Sequence, residues 1–116
     1  MPFRSVTESS EYTQWFSTLS EKQKAAVLLR VHWLLAYGPT AGRPYVDTIT
    51  HTSISNLKEL RVSSQGHIRI LFIFSPQRDV FLLVGGDKSM DSRWNRWYNS
   101  AIALAEEILA RNETHP

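Results

Sequence analysis

The chain has 116 residues, of which 42% are hydrophobic and 21% are charged, and it contains no cysteine. This length suits one domain with its own core, so we expect residues 1–116 to form a single domain. The absence of cysteine excludes disulfides and thiolate metal sites, and no apolar run reaches the roughly 18 residues that a membrane span needs. We therefore expect a cytoplasmic protein with no membrane partner.

The net charge of +2 is too small to indicate nucleic-acid binding on its own, but its distribution along the chain is uneven. Residues 58–96 contain seven lysines and arginines against four aspartates and glutamates, a local excess of three positive charges. Such an excess favours an anionic partner, although surface charge without a function explains it equally well.

The first third of the chain is predicted to hold a short edge strand at residues 3–6 and then two helices. The first helix carries an apolar stripe at helical spacing, formed by Tyr12, Trp15, Phe16 and Leu19. Ser20 and Gln23 have the spacing of a capping box, which predicts the start of the second helix. Gly38 and Pro39 are expected to end it, because glycine suits the left-handed cap and proline bars continuation.

The middle of the chain changes from helical to alternating periodicity. Residues 38–56 are predicted to form a long irregular connection, which in a small domain is often functional. Residues 56–62, 67–74 and 79–84 are then predicted to be three strands joined by short turns, and hence an antiparallel meander. The middle strand is apolar on both faces and should be covered on both. Gly85 and Gly86 are expected to end the sheet.

A last helix is predicted to start near Asp91 or Ser92, with its longest apolar stripe formed by Trp94, Trp97, Tyr98, Ala101, Leu104, Ala105 and Ile108. Residues 111–116 are polar and expected to be frayed. The predicted fold class is therefore α+β, with two N-terminal helices, a three- to four-stranded antiparallel sheet and a C-terminal helix.

Arg69 is the most informative single residue, because it interrupts an apolar strand and an unpaired buried guanidinium is costly. If the preceding turn holds residues 64–66, Arg61 lies directly opposite Arg69 on the same face, where like charges destabilise the sheet. A bound phosphate would remove that cost, and the planar guanidinium suits phosphate oxygens. The alternative is a structural ion pair of Arg69 with Glu59 or Asp87.

Lys88 follows the last strand and should return to the end of the sheet that holds both arginines. Three cations there would hold a phosphate and stabilise its developing charge, and neighbouring arginines would lower the pKa of the lysine. A solvated lysine in a turn is the alternative. His51 and His67 are candidate acids or bases because histidine titrates near neutrality. No histidine spacing indicates a metal site, and no cofactor motif is present.

Five motifs occur along the chain: GRPYVD at 42–47, NLKELR at 56–61, Arg69 in an apolar strand, LLVGGDKS at 82–89, and Trp97-Tyr98 opening the last helix. In this order and spacing they resemble HigB-type toxins, also described as phage-derived host-inhibition-like proteins, of the RelE/ParE superfamily. The resemblance covers residues 3–110. It implies a RelE-like fold and a ribosome-dependent messenger RNA endoribonuclease, the toxin of a type II toxin–antitoxin system.

The resemblance also implies roles for individual residues. Arg61 and Arg69 match the strand arginines at the phosphate, and Lys88 matches the cation after the last strand. The pattern departs from the family at Ile68, where many members have tyrosine, and at residues 89–91, which replace a second lysine or a histidine. The general acid therefore stays open among Asp87, Ser89 and His51. Further contacts to RNA or the ribosome are expected from Arg43, Lys58, Arg93 and Arg96.

The implied reaction is metal-free: the RNA 2′-hydroxyl, deprotonated by Lys88 or a histidine, attacks the adjacent phosphate. The implied partners are the ribosome, messenger RNA and a HigA-like helix-turn-helix antitoxin, which would form a hetero-oligomer with the toxin. Two alternatives keep the fold and discard the nuclease chemistry. One is a ParE-like toxin that poisons DNA gyrase, and the other is a non-catalytic toxin fold that only binds the antitoxin.

Overall fold

The structure, a computed structural model, describes residues 5–87 and 94–113. The helices are α1 (Ser10–Ser17), α2 (Glu21–Tyr37) and α3 (Trp94–Glu113), and one 3₁₀ turn spans Gly38–Thr40. The strands are β1 (Ser5–Glu8), β2 (Val46–Thr48), β3 (Lys58–Val62), β4 (Ile68–Phe74) and β5 (Asp79–Asp87). They form a five-stranded sheet in the order β1-β5-β4-β3-β2. The predicted α+β class is confirmed.

The sheet is mixed, and the prediction of a three- to four-stranded, wholly antiparallel sheet is wrong in this detail. The β3–β4–β5 meander is antiparallel as predicted, but β1 pairs with β5 in parallel, with Ser5 opposite Asp79. The edge strand expected at 3–6 is found at Ser5–Glu8. Most of the chain separates β1 from β5, so no local turn signal fixes their relative direction.

The connection predicted to be irregular over residues 38–56 contains a strand that the sequence pattern does not reveal. In β2, Val46 pairs with Leu60 and Thr48 with Lys58, which makes β2 the antiparallel neighbour of β3 at the edge of the sheet. Three residues are too few to display alternating periodicity, and only buried Val46 contributes an apolar side chain.

The two glycines expected to end the sheet lie inside β5, which continues to Asp87. A Cβ atom at Gly85 would come within 2.3 Å of the Trp15 ring, and one at Gly86 within 2.3 Å of Nε1 of Trp97. Both glycines are therefore explained by close packing of an indole on each face, not by a turn.

The predicted boundaries of α2 hold at both ends, whereas the predicted start of the last helix near Asp91 or Ser92 lies outside the described residues. Ser20 and Gln23 form the capping box, with the Ser20 hydroxyl accepting from the Gln23 amide at 3.1 Å, and Gly38 ends α2 at φ 58°. Residues 111–113 were expected to be frayed, but α3 extends to Glu113. Arg111 stabilises this end through an ion pair with Glu11 at 2.9 Å.

Two apolar clusters fill the two faces of the sheet, so the middle strand is covered on both sides as predicted. The cluster between the sheet and helices α1 and α2 includes the buried residues Val31, Leu34, Leu60, Ile68, Ile70, Phe72 and Leu82. The cluster between the sheet and α3 includes the buried residues Leu57, Leu71, Leu83, Val84, Ala101, Ala105 and Ile108. None of the helices in the described ranges is long and apolar enough to span a membrane.

Candidate functional site

The predicted register of the central hairpin is confirmed: Arg61 of β3 lies directly opposite Arg69 of β4. Both point to the α3 side, because Leu71, two residues beyond Arg69, packs against that helix. The Arg61 side chain is 31% exposed, whereas that of Arg69 is only 9% exposed. Two guanidiniums thus face each other at one end of the sheet, an arrangement that requires a neighbouring anion.

Glu59 supplies that anion, as the alternative for Arg69 anticipated. It precedes Arg61 by two residues in β3 and therefore shares its face, where it is buried with 4% of its surface exposed. Oε2 of Glu59 lies 3.2 Å from Nη2 of Arg61, and Oε1 lies 3.6 Å from Nε of Arg69. One carboxylate therefore stands between two arginines, and Asp87 is not the partner of Arg69.

Asp47 of β2 extends the cluster to the edge of the sheet. Its Oδ2 atom accepts hydrogen bonds from Nη2 of Arg61 and from Nη2 of Arg43, both at 3.1 Å. The pKa of Asp47 lies below its ordinary value, mainly because the carboxylate accepts a hydrogen bond from the Thr48 backbone amide. The positive charges of Arg43 and Arg61 lower it further. Three arginines and two carboxylates leave this group, the arginine–carboxylate cluster, with one net positive charge.

Helix α3 closes the cluster from above through Tyr98. The Tyr98 hydroxyl donates a hydrogen bond to Oε1 of Glu59. Burial, then the hydrogen bond to Glu59 and its negative charge, raise the pKa of Tyr98 to about 12. The neighbouring Trp97 ring lies on Gly86, which is the cross-strand partner of Arg69. The aromatic side chains of Trp97 and Tyr98 therefore cover this end of the sheet and keep water away from Arg69.

Arg69 has hydrogen-bonding capacity that its surroundings do not use. Its Nη1 donates to the Ile68 carbonyl at 2.9 Å, but its buried Nε has no hydrogen-bond partner among the described residues. A buried donor left unsatisfied costs about 1–3 kcal/mol, and such groups are rare in native structures. Because a guanidinium carries five donors, Arg69 keeps hydrogen-bonding capacity that the described residues do not use.

The candidate acids and bases lie around this cluster rather than within it. His51 is exposed on the wall of a cavity of about 310 Å³ that Tyr98 also lines. His67 is exposed at the start of β4, and its backbone amide donates to Oδ1 of Asp87 at 3.3 Å. Within the described ranges, no three histidine, aspartate or glutamate side chains are grouped so as to hold a metal ion.

The remaining predicted contacts are dispersed. Lys58 lies on the face of β3 opposite to Arg61, and its Nζ donates to the Thr48 hydroxyl at 3.1 Å. Arg96 is exposed on α3. Three further candidates, Lys88, Ser89 and Arg93, lie outside the described residues. Of the three expected phosphate ligands, the structure therefore describes the two arginines.

The sequence pattern did not reveal two residues of the site, Tyr98 above the cluster and Asp47 within it. Tyr98 was interpreted as part of an apolar stripe, because its helical spacing gives no sign that its hydroxyl reaches a carboxylate. Asp47 lies on the strand that the pattern does not reveal. Glu59 was identified only as one possible partner of Arg69, although its two-residue spacing from Arg61 in a strand already placed both on one face.

Comparison with known proteins identifies relatives along most of the chain. Residues 14–110 match the model of the family described as phage derived protein Gp49-like. The putative toxin HigB3 of Mycobacterium tuberculosis is 42% identical over 94 residues, which is 81% of this chain and 80% of the relative. The putative toxin HigB2 of the same organism is 37% identical over 84% of this chain, which spans 49% of that relative's length.

Solved structures share the fold at low sequence identity. An arginine-to-alanine double mutant of the E. coli toxin RelE in the free state has a TM-score of 0.65 at 8% identity, covering 92% of this chain and 97% of that one. The RelE–RelB complex of Pyrococcus horikoshii has a TM-score of 0.59 at 14% identity, covering 76% and 97%. The RelE-like fold expected from the motifs is therefore confirmed.

Proposed function

Because the chain belongs to the Gp49-like family and is a HigB-like toxin of the RelE superfamily, we propose that it cuts messenger RNA on the ribosome at the arginine–carboxylate cluster. The observation that carries this proposal is the pairing of Arg61 with Arg69 on one face of the sheet. Glu59 compensates only part of the positive charge of the facing guanidiniums, and a phosphate suits the donors that remain. The reaction needs no metal, because the substrate carries its own nucleophile.

In the proposed reaction, the 2′-hydroxyl of the RNA attacks the adjacent phosphate, and the bond to the following 5′-oxygen breaks. The products are a 2′,3′-cyclic phosphate and a free 5′-hydroxyl, so cutting is confined to RNA. Arg61, which is partly exposed, contacts the non-bridging oxygens first. Arg69 adds positive charge from beneath, in a nearly water-free environment where such charge stabilises the transition state strongly.

Glu59 and Tyr98 are positioning residues in this proposal. The Glu59 carboxylate pairs with both arginines, and Tyr98 fixes the carboxylate from α3. Since the cluster retains one net positive charge, a phosphate adds to it without displacing Glu59. Pre-oriented donors avoid reorganisation at the moment of reaction, and correct orientation is worth several kcal/mol.

Proton transfer is assigned to residues at the rim. Lys88 or a histidine accepts the proton of the 2′-hydroxyl. The leaving 5′-oxygen receives a proton from a general acid, for which the candidates are His51, His67, Asp87 and Ser89. His51 shares a cavity with Tyr98, and His67 lies two residues before Arg69, where the turn between β3 and β4 ends.

The proposed partner is an antitoxin encoded beside the toxin. Similar folds have been solved with antitoxins, including the archaeal RelE–RelB complex and the intact E. coli RelBE complex. We infer a HigA-like helix-turn-helix protein that forms a hetero-oligomer with this chain in the cytoplasm.

Induced expression followed by transcript-end mapping tests this function. Cuts in phase with codons inside translated regions are expected for the wild type, with at least a hundredfold fewer for Arg61→Ala, Arg69→Ala and Lys88→Ala. Arg78→Gln, which removes an exposed charge at the opposite end of β4, is the control and should cut normally. Full toxicity of all three alanine variants would instead favour gyrase poisoning, and a wild type without growth arrest would favour a binding module.

A further inference from the structure

A second group of arginine and aromatic side chains lies between α2 and the start of β2. The Arg30 guanidinium carbon is 3.7 Å from the centroid of the Tyr45 ring and 5.3 Å from that of Trp33. The Trp33 ring lies 5.1 Å from Tyr37 and 5.2 Å from Tyr45. These four residues, Arg30, Trp33, Tyr37 and Tyr45, are the aromatic platform.

The platform presents ring surface to solvent. Tyr37 is 55% exposed and Tyr45 is 38% exposed, which places both among the most exposed large hydrophobic residues of the described chain. Trp33 is half-buried beneath them and packs against the core. Two aromatic rings that are supported by neighbours and partly exposed are suited to contact a flat ligand, because the rings need no reordering on binding.

The positive charge of the platform is not neutralised by the described part of the chain. The buried Nε of Arg30 has no hydrogen-bond partner there, and Arg30 forms no ion pair with residues 5–87 or 94–113. The Tyr45 and Trp33 rings hold its guanidinium through cation–π contact. The platform therefore combines stacking surface with a cation that the described residues do not neutralise.

The platform is continuous with the arginine–carboxylate cluster. The Tyr45 carbonyl accepts a hydrogen bond from the Arg61 backbone amide at 2.8 Å. Arg43, two residues before Tyr45, shares Asp47 with Arg61, and its side chain is 78% exposed. A chain of nucleotides whose phosphate lies at Arg61 would thus reach Arg43 and Tyr45 across the β2 edge.

We propose that the aromatic platform binds single-stranded messenger RNA beside the scissile phosphate, with a base stacked on Tyr45 or Tyr37 and a neighbouring phosphate attracted by Arg30 and Arg43. Exposed aromatics interleaved with arginines are how proteins hold unpaired bases without reading their sequence. Splaying a base away from its neighbour also frees the backbone to bring the 2′-hydroxyl in line with the phosphate. This inference rests on the proposed function and locates its substrate track.

Ultraviolet cross-linking in cells tests the platform independently of cleavage. Cells express the toxin with Arg69→Ala, which spares the message, and cross-linked peptides and RNA are identified after irradiation. We expect RNA-bound peptides that contain Tyr37 or Tyr45, and messenger sequence as their RNA. Because stacking on one ring contributes a five- to hundredfold change in binding, Tyr45→Ala should lower the yield about tenfold.

Two controls separate stacking from folding. Tyr45→Phe keeps the ring and should retain the yield, and Leu28→Ala removes a similarly exposed side chain from another side of α2 and should change nothing. The inference is overturned if the cross-linked peptides exclude the platform, if their RNA is ribosomal, or if Tyr45→Ala impairs antitoxin binding alone. Cross-links at the platform with no cuts by the wild-type protein would instead reject the nuclease and keep the RNA track.

Discussion

The face of the sheet that α3 covers is apolar at one end and charged at the other. One end is apolar, where the side chains packed between sheet and helix are Leu71, Leu83, Ala101, Ala105 and Ile108. The other end begins two residues earlier in β4, with Arg69 beside Glu59 and under Tyr98. The same strands and the same helix therefore bury hydrocarbon at one end and charge at the other.

The apolar end of this face stabilises the fold more effectively than the charged end. Apolar burial stabilises a fold by about 25 cal/mol per Å², whereas burying ionic groups incurs a desolvation penalty that their attraction often fails to offset. Replacement of such groups by well-packed apolar residues is frequently neutral or stabilising. In the proposed function, a cluster of buried charges with an Arg69 donor that the described residues leave unsatisfied serves chemistry rather than folding.

The largest effect should come from removing the shared carboxylate. Glu59→Ala leaves the buried Arg69 guanidinium without its carboxylate and facing Arg61, so the free energy of unfolding should fall by about 3–5 kcal/mol. Urea unfolding measures the change, and Glu107→Ala, an exposed position on α3, should stay within about 0.5 kcal/mol of the wild type. A loss below about 1 kcal/mol for Glu59→Ala would mean that the arginines do not depend on it.

The two glycines of β5 offer a matched pair, one on each face. Gly85→Ala would collide with Trp15 and Gly86→Ala with Trp97, each at 2.3 Å, so both should destabilise by about 1–3 kcal/mol. Only Gly86→Ala displaces the indole beside Arg69, so it alone should reduce cleavage by the folded protein. Equal cleavage losses in the two variants would remove the distinction between the faces.

The smallest effect is expected from an ion pair that belongs to neither end of the sheet, the pair of Glu11 in α1 with Arg111 in α3. The pKa of Glu11 is lowered from 4.5 to about 2, mainly because Arg111 donates hydrogen bonds to its carboxylate. Because the folded-state pKa lies below the unfolded value, this stabilisation is present above pH 4.5 and is lost as the pH falls toward 2.

Glu11→Gln should therefore lower the free energy of unfolding by about 0.5–1 kcal/mol at neutral pH, as expected for an exposed ion pair. Thermal unfolding across pH measures this difference, which should disappear near pH 2. Glu21→Gln, an exposed change on α2, serves as the control. A Glu11→Gln difference that persists unchanged in acid would contradict the assignment to this ion pair.

Much of the fold could be predicted because its signals are local. The capping box at Ser20 and the end of α2 at Gly38 depend on residues within a few positions of each other. A turn of residues 64–66, one of the lengths that the sequence allowed, predicted the register that places Arg61 opposite Arg69. Through that register, one arginine in an apolar strand was enough to predict the location of the candidate site.

The remainder depends on contacts between distant segments. The Trp15 and Trp97 rings explain Gly85 and Gly86, yet nothing near the glycines in sequence distinguishes a packing contact from a turn. The Tyr98 hydroxyl meets Glu59 across 39 residues, and this contact exists only once α3 lies on the sheet. Tertiary packing, not local propensity, therefore decided these features.

The most direct test replaces the buried charges of the cluster together. In a Glu59→Met, Arg61→Leu, Arg69→Met, Tyr98→Phe quadruple variant, apolar side chains of similar size fill the polar end, so neither a buried charge nor the Tyr98 hydroxyl loses its partner there. We predict an unfolding free energy at least equal to that of the wild type and no codon-phased cuts in mapped transcripts. Cutting at the wild-type level, or a loss of several kcal/mol in stability, would contradict the account.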